Sequence, residues 1–352
     1  MGVSKYLKQL RSMEGAVDTS YNPFQHVIKT GSPSLDWIYG KGMGLPYGYS
    51  EILFGPPKSG KSLITYMRSG WLSQNDPEAI IVKFNTELRE GGQLAPYWGI
   101  DPDRYIAYDV NEPALIFDRI KKDLLPMIQD GLPVKYIVID SLQNIQGVKE
   151  MGRDSVEDHL VGDLAMTIQN GLKLILPIIR RNKIALSLTS HVRANVEMNG
   201  GKGKSEKMAG GWYQKHFGEY FVSVNRGKAA EDKASLEGIK FEDSSVKDMR
   251  GNKDRTGHKI LVKMEESSVG VDGRTASFTL DYNKGLINTE EELFTLGSNM
   301  GLITRAGAYY EINGKKYQGK ASACKAFAED AELARHVMAE LEKRNNAFKA
   351  EG

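Results

Sequence analysis

The segment Gly55-Pro56-Pro57-Lys58-Ser59-Gly60-Lys61-Ser62 constrains this chain more than any other. It fits G-x-x-x-x-G-K-[ST] and stands between a strand-like run at 49–54 and a helix-like stretch. Strand, glycine turn and helix in that order leave backbone amides of the turn and of the helix N-terminus facing a bound phosphate. The Lys61 ammonium would neutralise β- and γ-phosphate oxygens, and the Ser62 hydroxyl would take one position on Mg²⁺. A Gly/Pro loop can match the pattern without binding anything, but this context is the one the motif requires. The expected ligand is ATP.

The rest of the chain suits a fold that carries such a loop. Short apolar runs at 49–54, 80–84, 105–108, 136–139 and 184–188 alternate with helical patterns. Their spacing of roughly 20 to 50 residues leaves room for crossover helices, which predicts a mostly parallel twisted α/β sheet with helices on both faces. Leu160, Leu164, Ile168, Leu172, Ile175 and Ile179 form a helical stripe that belongs to the core, and Pro177 is expected to kink or end its last turn. The stretch 226–258 is hydrophilic and mixed in charge, as an exposed insertion or long hairpin would be. Strand patterns return at 260–264 and 276–280. Helical patterns at 290–297, 320–328 and 331–344, with a hairpin at 307–317, then suggest a small α+β unit. Val3, Tyr6, Leu7 and Leu10 have helical spacing and precede a turn-rich stretch. The predicted division is an N-terminal helix and linker (1–27), a P-loop core (28–287) and a small C-terminal domain (288–352).

Composition excludes several classes. Hydrophobic residues make up 40% of the 352 and charged residues 26%, so neither a disordered nor a membrane protein is expected. The opening MGVSKYLKQL lacks the apolar core of a secretory signal. Cys324 is the only cysteine, which excludes an internal disulfide and a cysteine-rich metal site. A cytoplasmic location is expected. A net charge of +2 means that any nucleic-acid contact must come from local clusters.

Two acids complete the chemistry. The run KYIVIDS ends on Asp140, at the carboxyl edge of a parallel sheet where ligands bind, so Asp140 is the second Mg²⁺-side group, acting through water. The run IIVKFNTE places Glu87 just past the preceding strand, at the same edge, as the base that activates water. Glu90 is the competitor, and either acid could be a solvated loop residue.

Residues 29–62 resemble the entry to the core of the RecA/RadA family of DNA recombinases, with Thr30-Gly31, Ser34-Leu35-Asp36 and Leu45-Pro46 as landmarks ahead of the glycine loop. Residues 296–327, with Ala306-Gly307-Ala308 followed by Tyr310 and with Gly314-Lys315-Lys316, are similar to that family's small C-terminal domain. The resemblance spans about 24–345, leaves 226–258 unmatched, and is closest in character to phage-type UvsX recombinases. It implies a RecA-like core, ATP and Mg²⁺ as cofactors, phosphate and metal roles for Lys61 and Ser62, the Walker B role for Asp140 and the catalytic glutamate role for Glu87. The family's γ-phosphate sensor falls on His191, where the cellular proteins carry glutamine; a histidine there would add pH dependence near neutrality. Two departures stand out. Glu266 and Ser268 fall where the family's lysines reach the neighbouring subunit's ATP, leaving Lys259 or Lys263 to substitute. Leu94, with Tyr97 and Trp98 nearby, falls where an aromatic ring would stack on adenine.

The resemblance also assigns two DNA loops. The second follows His191, a basic glycine-rich run with Arg193, Lys202, Lys204 and Lys207 that ends at Gly210-Gly211. It is expected to hold DNA through phosphates, independently of sequence and with strong salt dependence. The first, about 147–161, offers Lys149, Met151 and Arg153, although Asp154, Glu157 and Asp158 make it acidic overall. The implied activity is that of a DNA-dependent ATPase. It forms a helical homo-oligomer on single-stranded DNA and exchanges strands with a homologous duplex, assisted by a loader and single-strand-binding protein and with no membrane partner. The N-terminal helix would hook onto a neighbour. A hexameric helicase, or a mediator that binds ATP and DNA without turnover, is the alternative.

Overall fold

Period-two alternation in the apolar runs builds one large sheet with both faces buried. The computed structural model describes residues 2–11, 13, 20–88, 90, 98–149, 162–194, 206–208, 217–227, 257–270, 272–281 and 285–347. In chain order the leading elements are α1 (Gly2–Arg11), β1 (Val27–Ile28), α2 (Pro33–Trp37), β2 (Leu45–Pro46), β3 (Ser50–Gly55), α3 (Lys61–Asn75), β4 (Ile80–Asn85) and β5 (Tyr105–Asp109). Two π-helical turns, Ala114–Asp118 and Ile120–Leu124, run into α4 (Leu125–Gln129). Then come β6 (Val134–Asp140), α5 (Asp163–Arg181), β7 (Ala185–Ala194), β8 (Glu206–Met208), β9 (Tyr220–Arg226), β10 (Gly257–Ser267), β11 (Thr275–Asp281) and β12 (Gly285–Ile287). The strand order is β12-β11-β10-β9-β3-β7-β6-β4-β5. From β9 to β5 every pairing is parallel, whereas β10, β11 and β12 extend the sheet as an antiparallel meander.

Neighbouring residues on each strand serve opposite faces. Leu53, Ile81, Tyr136, Val138 and Val222 pack with Ile64, Met67 and Leu72 of α3. Ile52, Val82, Ile137, Ile139 and Phe221 pack with Ile116, Phe117 and Ile120 and with Ile168, Leu172, Ile175 and Ile179 of α5. Gly171 of α5 is required there, because a Cβ would lie 2.3 Å from the Phe117 ring. No helix among the described residues is long and apolar enough to cross a membrane.

Three local expectations are corrected. Helix α5 continues through Pro177 to Arg181. Proline costs one backbone hydrogen bond, which burial of Ile175, Ile178 and Ile179 outweighs. Strand β9 was not expected, yet it lies between β3 and β10 and joins the parallel and antiparallel halves. The run after His191 is not wholly loop, since β8 pairs antiparallel with residues 192–194. Of the hydrophilic stretch 226–258, all but Arg226, Gly227, Gly257 and His258 lies outside the described residues.

Beyond the sheet, α6 (Thr289–Asn299) leads into β13 (Ile303–Ala306), β14 (Tyr309–Ile312) and β15 (Lys315–Gln318), a three-stranded meander where a hairpin was expected. The helices α7 (Gly319–Glu329) and α8 (Ala331–Ala347) follow, and Leu293, Ile303, Ile312, Phe327, Val337 and Leu341 share one apolar cluster with Met43.

The landmarks around Thr30 are the hinge of this packing. Asp36 is fully buried and accepts hydrogen bonds from the Thr30 amide (2.8 Å) and hydroxyl (2.9 Å). Ser32 caps α2, accepting from the Leu35 amide at 3.2 Å, and donates to Glu292 of α6 at 2.6 Å, while the Ser34 amide donates to the same carboxylate at 3.0 Å. Burial pushes Glu292 up to about 7, against hydrogen bonds from Ser32 and Ser34, and pushes Asp36 up to about 6. An unfolded glutamate titrates near 4.5, so between those values the folded protein binds more protons and loses stability as pH rises. Glu292→Gln is therefore expected to gain on the native protein in thermal melts between pH 5 and pH 8, by on the order of 3 kcal/mol at most. A melting gap independent of pH would contradict this; Asp36 contributes a slope of the same sign to both proteins.

Candidate active site

The glycine loop is shaped by the strands beside it. A Cβ on Gly55 would lie 2.0 Å from the Val224 carbonyl of β9, so only glycine lets β3 end there. Gly60 adopts φ 108° directly ahead of α3, and a Cβ on it would meet Ile260 Cδ1 at 2.7 Å. The turn delivers Lys61 and Ser62 to the N-terminus of α3, where amides face outward. Lys61 Nζ bonds the carbonyls of Pro56 (2.7 Å) and Gly55 (3.1 Å), arching over the loop. Burial lowers its pKa to about 8, opposed by the carboxylates of Asp140 and Glu87.

Sheet register brings the other groups to the same edge. Gly55 pairs with His191 across β3 and β7, and Asn85 pairs with Asp140 across β4 and β6. Thr86 then laces the two strand ends together: its hydroxyl donates to the Ser141 carbonyl (2.6 Å) and accepts from the Ser141 amide (2.7 Å). Glu87 follows immediately, and its Oε1 lies 3.1 Å from His191 Nε2. The His191 amide donates to Gln143 Oε1 at 2.9 Å, which ties β7 to the segment after Asp140. Residues Pro57–Ser62, Glu87, Asp140 and His191, joined by Asn144 and His258, line one cavity of about 580 Å³.

Asp140 is held at both oxygens. The Thr189 hydroxyl donates to Oδ1, and Lys83 Nζ stands 3.6 Å from Oδ2. Burial works to lower the pKa of Lys83, but Asp140, Tyr66 and Glu90 raise it above the usual value. Glu90 is committed to this buried group: it pairs with Lys83 at 2.8 Å and accepts from Tyr105 (2.8 Å) and Tyr66 (3.0 Å). Glu87, by contrast, faces the cavity with Lys61. Asn144, Thr86 and His258 carried no legible signal in the sequence, because only the fold brings them to the loop.

Other expected positions lie elsewhere. Ser268 donates its amide to the Glu219 carbonyl at 2.9 Å, and Glu266 pairs with Phe221 between β10 and β9. Lys263 is ion-paired with Glu265, and both line a separate cavity of about 780 Å³ between the antiparallel meander and α6. Trp98, like Tyr105, packs against the pair Tyr66 and Ile100. The Lys149 amide donates to Asp163 at 2.9 Å. Arg193 and Lys207 pair as backbone between β7 and β8. The side chains of Arg193 and Lys207, and residues Leu94, Tyr97, Met151, Arg153, Lys202, Lys204, Gly210 and Gly211, lie outside the described residues.

No family model matches the chain. Curated proteins do. Protein RecA of Marinobacter nauticus is 25% identical over 317 residues, covering 89% of this chain and 82% of that relative. Protein RecA of a Wolbachia from Brugia malayi is 25% identical over 333 residues, 91% of this chain and 82% of its own length. Protein RecA of Francisella tularensis subsp. novicida is 27% identical over 297 residues, 84% and 74% respectively.

The chain is similar to RecA proteins. The coverage takes in most of the chain, so the RecA likeness extends well beyond the glycine loop. The RecA proteins named here are bacterial, and the phage-type character expected from the loops finds no support in them.

The cavity suits the RecA family's ATP and Mg²⁺. Its donor set is oxygen, from the Ser62 hydroxyl and the Asp140 carboxylate, beside a glycine cradle that a Cβ would fill. Among the described residues no cluster of three metal-ligating side chains exists. Mg²⁺ needs none, since it keeps waters and takes its remaining ligands from phosphates.

Proposed function

We infer that this protein performs ATP-dependent homologous recombination, forming filaments on single-stranded DNA and exchanging strands with a homologous duplex. The observation that carries the reading is the Glu87–His191 contact in the cavity that holds Lys61 and Asp140, in a chain that RecA proteins match along most of its length.

Within that reading, the amides of 58–62 and the Lys61 ammonium would hold the β- and γ-phosphates, and Ser62 directly and Asp140 through water would hold Mg²⁺, which would supply neutralisation of phosphate charge. Glu87 Oε1 takes the proton of the attacking water. His191 Nε2 exchanges its hydrogen bond between Glu87 and a γ-phosphate oxygen. Because His191 and Arg193 lie on one strand, β7, that exchange pulls directly on the segment assigned to DNA. ATP thereby favours the DNA-gripping state and hydrolysis releases it.

The proposed division is 1–27 as an oligomerisation helix and linker, 28–287 as the ATPase core and 288–352 as the C-terminal domain. Exposed Tyr6, Leu7 and Leu10 on α1 support its role as a hook for the next subunit. Open helical growth follows from such a heterologous contact. A loader and a single-strand-binding protein are the proposed partners, and the cytoplasm the proposed location.

The decisive assay mixes circular single-stranded DNA with homologous linear duplex, ATP and Mg²⁺. Joint molecules are expected; unwinding of forked duplex without them would make the protein a translocase, and negligible turnover with saturating DNA a mediator. For the DNA loop, the triple substitution of Lys202, Lys204 and Lys207 by alanine should lower affinity and reduce the salt slope by about 2 to 3. An unchanged slope would put the DNA on another surface.

A further inference from the structure

Lys83 is the one cation in the apolar run of β4, and neither the glycine loop nor the DNA loops account for it. Its side chain is 2% exposed. A buried ammonium is costly unless paired, so its partners define its work. Three converge on it: Glu90 at 2.8 Å, the Tyr66 hydroxyl at 2.8 Å and Asp140 Oδ2 at 3.6 Å. Its Nζ also stands 4.1 Å from the centre of the Tyr66 ring. Tyr66 belongs to α3, one turn beyond Ser62, and its hydroxyl donates to Glu90 in turn. Lys83 and Glu90 are absent from the cavity lining, whereas Asp140 is part of it. The lysine therefore stands behind Asp140, with its charge divided between two carboxylates.

We propose that the Lys83–Glu90 pair is a positioning device that sets the negative charge Asp140 presents to Mg²⁺, and so sets the magnesium requirement for nucleotide binding. This rests on the reading of Asp140 as the magnesium-side acid. Glu90 draws part of the lysine's field to itself. With Glu90 neutral, all of it acts on Asp140 and weakens the hold on Mg²⁺; with both Lys83 and Glu90 neutral, Asp140 presents its full charge and the hold tightens. In a site screened from water, single charges a few ångströms apart act strongly enough for shifts of about five- to tenfold.

The test is Mg²⁺ titration of the binding of a fluorescent, non-hydrolysable ATP analogue to the full chain without DNA, a readout that needs no turnover. Glu90→Gln should raise the half-saturating Mg²⁺ concentration about five- to tenfold, and the double variant Lys83→Met/Glu90→Gln should lower it below that of the native protein. Opposite signs separate charge tuning from a structural role, in which both variants would weaken binding alike. Glu90→Gln keeps the lysine and carries the test alone should the double variant fail to give a native melt. Asp140→Asn distinguishes the two layers. If it shifts the magnesium requirement while the Glu90 and Lys83 variants match the native protein, the proposal is overturned and the Asp140 reading stands. If Asp140→Asn shifts nothing, both are overturned.

Discussion

Lys61→Ala should abolish ATP turnover, lowering kcat by about a thousandfold or more in the presence of single-stranded DNA. The residue is the one ammonium in the lining at the N-terminus of α3, and it already arches over the loop through the Pro56 and Gly55 carbonyls. Removing it takes away the compensating charge where negative charge is densest, and the buried Lys83 cannot replace it, because it is held by Glu90 and Asp140 on the far side of the acid. Lys58, the other lysine of the lining, sits in the turn at φ 60°. Steady-state phosphate release is the measurement. Turnover within tenfold of the native protein would mean that the cavity is not where ATP is hydrolysed.

Glu87→Gln should separate binding from chemistry. The amide keeps the shape of the carboxylate and can still meet His191 Nε2, so nucleotide affinity should hold within about twofold. It cannot take a proton from water, and hydrolysis should slow by about a hundredfold or more. Single-turnover hydrolysis alongside nucleotide binding reads both quantities. At Mg²⁺ concentrations that saturate both variants, Glu90→Gln is the control for the chemical step, since Glu90 is bonded to Lys83, Tyr66 and Tyr105 and does not line the cavity. A Glu87 variant that hydrolyses at the native rate, beside a crippled Glu90 variant, would reverse the assignment.

Those two acids show where sequence reasoning ran short. Both follow β4 within a few residues; position at the sheet edge favours Glu87, but the sequence does not show what either acid touches. Their partners are distant in sequence: Tyr66 on α3 and Tyr105 on β5 bond Glu90, whereas His191 on β7 meets Glu87. In the same way, Thr30, Ser34 and Asp36 were legible only as a pattern. Their bonds to one another and to Glu292 make them structural residues that dock α6 onto the core.

What the sequence determined by itself was local and periodic. The glycine loop, the strands on either side of it, the amphipathic stripe of α5 and the acid ending β6 all depend on residues within a few turns of each other, where backbone propensity and apolar spacing act directly. Tertiary structure alone decided the rest. Strand β9 is central because β3 and β10 flank it, Pro177 stays helical because the stripe around it is buried, and β7 runs to Ala194, which carries His191 to the level of Gly55. Each of these outcomes balances a local cost against burial or pairing with a segment far along the chain, and that term becomes visible only once the sheet is assembled.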